Sequence, residues 1–77
     1  MTPEIARKVT EIVEAVALRK VSPDEPLLTS GLVDSVSAVD LALQMEAEFG
    51  IKMPAEKIHE CMETTRTLIG YVIATRH

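Results

Sequence analysis

At 77 residues, with one cysteine and no Cys/His cluster at zinc-ligand spacing, the chain reads as one small domain, residues 1–77, that cannot be stapled by an internal disulfide or built around zinc. A net charge of −4 gives no basic face for a phosphate backbone, which excludes the usual footprint of nucleic-acid binding. The opening Thr2-Pro3-Glu4 has no signal-peptide pattern and no run approaches the ~18 apolar residues of a membrane span, so a cytoplasmic protein is expected.

The acids are unevenly spread. Asp34, Asp40, Glu46, Glu48, Glu56, Glu60 and Glu63 stand against only Lys52 and Lys57 in the middle of the chain, which suits docking onto basic protein surfaces. With only Phe49 and Tyr71 as aromatics, the core must come from Val, Ile, Leu, Met and Ala, a mixture suited to packed helices.

Thr2 as cap, Pro3 at the first helical position and Glu4 at the positive end announce the first helix. Ile5, Val9, Ile12, Val13 and Val16 recur on one face, and Arg19 and Lys20 suit the negative end, so the helix is expected to stop by Lys20 or Val21. Residues 22–33 carry Pro23, Pro26 and Gly31 and read as a long ordered loop. Its Leu27, Leu28, Leu32 and Val33 are too apolar for water; for Leu27 and Leu28 a core role is expected.

Gly31-Leu32-Val33-Asp34-Ser35-Val36 then places a serine where loop becomes helix, beside a carboxylate. Neither His59 nor His77 is near it in sequence, so this serine is better suited to being modified than to attacking a substrate. A phosphate ester there would face unpaired N–H groups and the positive end of the helix dipole. A second helix is expected from Asp34 or Ser35 to Phe49, with Gly50 as left-handed cap. Ala38, Leu41, Ala42, Met45 and Phe49 form its better core face. Val36, Val39 and Leu43 form another stripe, interleaved with Asp40 and with Glu46 beyond; it reads equally as a wide core face or as a recognition surface.

Met53-Pro54 leads into a short helix near Ala55 to Cys61, offering Ile58 and Met62 to the core. A last helix, capped by Thr64 or Thr65 and running to about Thr75, has Leu68, Ile69, Val72 and Ile73 on its apolar face, with Gly70 marking a close helix approach. The fold class is all-α: a four-helix bundle with a long first loop and a short third helix.

The Gly-Leu-Val-Asp-Ser-Val run, the helix closing on Glu46-Ala47-Glu48-Phe49-Gly50-Ile51, the proline-led short helix and the final Tyr71-Val72 together resemble the acyl carrier protein family. The likeness spans nearly the whole chain and is strongest over residues 27–54. It implies that Ser35 receives 4′-phosphopantetheine from coenzyme A through a separate phosphopantetheinyl transferase, and that the arm holds an acyl or aminoacyl group as a thioester for partner enzymes. These partners are acyl- or aminoacyl-activating ligases and acyl-transferring or condensing enzymes, and the carrier itself, a monomer, is no enzyme.

By the same resemblance Asp34 is the acidic residue the transferase reads, while Val36, Val39 and Leu43 are the apolar contacts and Asp40 and Glu46 the acidic ones. The resemblance thus selects recognition for the second stripe; Glu56 and Glu60 are weaker candidates of the same kind. Two departures stand out: Val36 replaces the usual Leu or Met after the serine, and Leu32-Val33 is closer to freestanding D-alanyl and aminoacyl carriers. The rival reading is a small helical interaction domain without prosthetic group, Ser35 being only a cap. A triad of Asp34, Ser35 and His59 is disfavoured, and Cys61 reads as a small buried apolar residue.

Overall fold

The computed structural model describes residues 3–76, Pro3 as backbone only; Thr2, expected as the first cap, and His77 lie outside them. Helix α1 spans Pro3–Ala17, α2 Ser35–Phe49, α3 Ile58–Cys61 and α4 Thr65–Thr75, with a 3-10 turn, Ala55–Lys57, leading directly into α3. The expected all-α architecture with a long first loop and a short third helix is what these elements form, and the described residues contain no strand.

The apolar spacing of α1 puts Ile5, Val9 and Val13 in the core, with Ile12 and Val16 packed at its edge. Helix α1 lies against both α2 and α4. Lys8 meets Glu48 at 3.2 Å, so the first half of α1 stands beside the end of α2 and the two run antiparallel. Leu41, Met45, Met62, Leu68 and Val72 fill the space between the helices.

Helix α1 stops at Ala17, short of the expected Lys20 or Val21, and leaves Arg19 and Lys20 outside it. Leu18 takes φ +62 and its N–H bonds back to the Glu14 carbonyl at 2.8 Å, closing the helix in a left-handed turn. The carboxylate of Glu14 then accepts the Val21 N–H at 2.9 Å and brings buried Val21 down onto the core.

The first loop is pinned along its length. Val21, Leu27 and Val33 are buried pegs, while Leu28 and Leu32 are half-buried. Leu27 N–H donates to the Glu63 carbonyl at 3.0 Å, and Arg66 N–H to the Pro23 carbonyl at 3.0 Å. The Arg66 guanidinium grips both oxygens of Asp24, at 2.7 and 3.1 Å. Gly31, at φ +82, turns the chain so that Val33 N–H reaches the Leu27 carbonyl at 3.0 Å and Asp34 arrives at the start of α2.

Two expectations for α4 need correction. Ile73 is exposed rather than in the core, and a Cβ on Gly70 would meet nothing within 4 Å, so no helix approaches closely there. Both residues line an open, largely apolar groove between α1 and α4, while Leu68 and Val72 of α4 are buried in the core. Thr64 caps α4, its hydroxyl accepting the Thr67 N–H at 3.1 Å.

Candidate functional site

The start of α2 is organised by Asp34. Its backbone is extended, its carbonyl accepts the Ala38 N–H at 2.8 Å, and its Oδ1 accepts the Ser37 N–H at 2.7 Å. Ser37, chiefly through that N–H, holds the Asp34 carboxyl below the ordinary aspartate range. Asp34 is therefore the cap, and Ser35 is the first helical residue.

Ser35 is exposed, and no hydrogen bond engages its hydroxyl among the described residues. His59 lies exposed on α3, and no hydrogen bond joins it to Asp34 or Ser35 among the described residues. Serine, carboxylate and imidazole thus form no relay, and the Asp34 carboxylate is occupied by backbone. No group of three or more His, Cys, Asp or Glu among the described residues could hold a metal ion. The Ser35 hydroxyl is thus open to solvent at the first turn of α2.

The second stripe of α2 faces outward. Val36 is 78% exposed, Val39 50% and Leu43 58%, whereas Ala38, Leu41, Ala42 and Met45 on the opposite side are buried and Phe49 is half-buried against them. The equal weighting left by periodicity alone is resolved by this geometry: the stripe is not core. Asp40 stands exposed between its members, its Oδ2 accepting only the Gln44 amide at 3.1 Å. Glu46 differs: it is half-buried and its carboxylate accepts the Met53 N–H at 2.7 Å. Glu56 and Glu60 are exposed on the turn and on α3.

Sequence reasoning missed the commitment of Glu46 to the backbone, and with it the matching one of Glu14. The available signal was a glutamate in the last helical turn followed seven residues later by an apolar residue. Cys61, by contrast, is buried as expected, and burial, with Glu60 beside it, pushes its thiol pKa up.

A protein-family model described as a phosphopantetheine attachment site matches residues 4–72, so the chain belongs to that family. It is a carrier protein whose cofactor is covalently attached 4′-phosphopantetheine, and it serves partner enzymes such as ligases and transferases without being an enzyme itself. Among curated proteins it is similar to the D-alanyl carrier protein of Streptococcus suis strain 05ZYH33, with 27% identity over 77 aligned residues covering 96% of this chain and 98% of that protein. The D-alanyl carrier protein of Streptococcus suis strain 98HAH33 gives the same values. The rival reading as an interaction domain without prosthetic group is set aside by the family match. No helix among the described residues is long and apolar enough to cross a membrane.

Proposed function

We propose that Ser35 is the attachment residue and that the chain is a freestanding cytoplasmic carrier for an aminoacyl or specialised acyl group. The observation that carries this reading is the division of labour at the start of α2. Asp34 supplies the cap, so the exposed Ser35 hydroxyl is free of structural duty and can become a phosphate ester without cost to the helix. The residues present fit the group: the ester would sit at the positive end of α2, where the dipole favours an anion.

Among the described residues no base stands hydrogen-bonded to Ser35, so deprotonation of the hydroxyl falls to the transferase. The arm supplies a thiol that keeps a carbonyl activated as a thioester, and its tether raises the local concentration of cargo at each partner. What the chain contributes is the attachment oxygen and a docking face: Val36, Val39 and Leu43 as apolar contacts around the exposed charge of Asp40. Asp34, whose carboxylate stays ionised in ordinary buffers, is the acidic mark beside the serine. The likeness to D-alanyl carrier proteins supports an aminoacyl cargo.

Ser35→Ala tests the assignment. Incubated with coenzyme A and a broad-specificity transferase, the wild-type chain should gain the mass of one arm and the alanine variant none. The variant should keep its helicity and lose at most about 1 kcal/mol, since Asp34 still caps α2. An alanine variant that still accepts the arm would place the attachment elsewhere.

A further inference from the structure

Asp40 and Glu46 are both acids on α2, but only Asp40 presents its carboxylate to solvent. Glu46 closes the helix twice over. Its carbonyl accepts the Gly50 N–H at 2.9 Å and its Oε2 accepts the Met53 N–H at 2.7 Å. Met53 is buried and Pro54 after it has no N–H to offer, so without Glu46 the Met53 amide would be a part-buried donor lacking an acceptor. From the other side the Tyr71 hydroxyl donates to the Lys52 carbonyl at 2.7 Å. The segment between α2 and α3 is thus held at both flanks, and its direction sets where α3 stands beside α2.

The end of α1 provides an independent comparison. There Glu14 uses its carbonyl on Leu18 N–H and its carboxylate on Val21 N–H, at the same spacings of four and seven residues. Helix α1 carries none of the exposed stripe, so this geometry is how the chain turns out of a helix, with no partner required.

We infer that Glu46 is a positioning residue: its carboxylate fixes the segment between α2 and α3, and partner enzymes read the surface so arranged rather than the Glu46 charge. The inference rests on the docking face proposed above. Glutamine keeps a carbonyl oxygen that can accept the Met53 N–H but carries no charge, so it separates the two roles.

The test combines amide hydrogen exchange at Met53 in the unmodified protein with arm transfer from coenzyme A at low and high salt. Glu46→Gln should keep the Met53 amide protected and stay within about twofold of wild type in kcat/KM at both salts. Glu46→Ala should speed exchange at Met53 and lower kcat/KM, each by about tenfold, the worth of a charge-assisted hydrogen bond, and added salt should not remove the loss. Asp40→Asn should be impaired only at low salt, where an exposed charge is unscreened.

Two results would overturn the inference: transfer by Glu46→Gln falling as far as Glu46→Ala while Met53 stays protected, or Met53 exchange unchanged in Glu46→Ala. An unimpaired Asp40→Asn beside a damaged Glu46→Ala would support positioning while removing the electrostatic part of the docking face, so the two failures can be told apart.

Discussion

The ends of α1 and α2 are built to one plan from different residues. Each has a glutamate whose carbonyl and carboxylate take backbone N–H groups four and seven residues later. Each has a left-handed residue at the first of those positions, φ +62 at Leu18 and φ +66 at Gly50, and a buried apolar residue at the second, Val21 or Met53. The difference lies in the left-handed residue. Glycine enters that conformation without steric penalty, whereas leucine does so at about 1–2 kcal/mol, and Leu18 is also 88% exposed, with nothing packed on it to offset the strain. The tether and the buried residue beyond it are therefore sufficient to end a helix here; glycine makes the turn cheaper but does not define it.

The largest effect should come from the buried residue. Met53→Ala would open a cavity and cost roughly 2–5 kcal/mol in a urea melt, a large share of the stability of so small a domain. A loss below ~1 kcal/mol would mean that Met53 does not anchor this end. Exchanging the left-handed residues comes next. Gly50→Leu should cost about 1–2 kcal/mol, while Leu18→Gly should gain up to ~1 kcal/mol, less than the strain because glycine loosens the unfolded chain. Melting temperatures that moved the same way for both would break the comparison.

The smallest effect concerns the opposite kind of helix end, the Asp34 cap. Because Ser37 depresses the Asp34 pKa in the folded protein, the contribution is fully present above the unfolded-chain value near ~3.9 and is lost as pH falls through the lower folded value. Asn caps as well as Asp but does not titrate there. Asp34→Asn should match wild type at neutral pH and lose less stability than wild type on acidification, which paired melts would show.

The same contrast explains what could be read in advance. Gly50, the Asp34-Ser35 junction and the Thr64 cap are local signals written in residue types, and the helix boundaries they mark were found in place. The end of α1 was overrun because its turn is made by a leucine, which looks like one more helical residue, and because Arg19 and Lys20 mimic a favourable last turn. Within α2, periodicity separated two stripes and marked the better core face but could not say whether the second was covered as well, since that depends on where α1 and α3 lie. Nor could it distinguish Asp40 from Glu46, whose difference rests on a long-range choice of hydrogen-bond partner. Gly70 and Ile73 were misread for the same reason: their surroundings are set by the placement of α1, not by α4 itself.

Cys61 has a consequence for the traffic in cargo. Sulfur-to-sulfur exchange of an acyl group needs a thiolate as acceptor, and a cysteine that is buried and whose pKa is raised supplies very little of one. The carrier's own sulfur is thereby a poor acceptor for the thioester it holds. For the same reason, a thiol-directed alkylating reagent applied to the folded, armed protein reports the state of the arm and not of the chain.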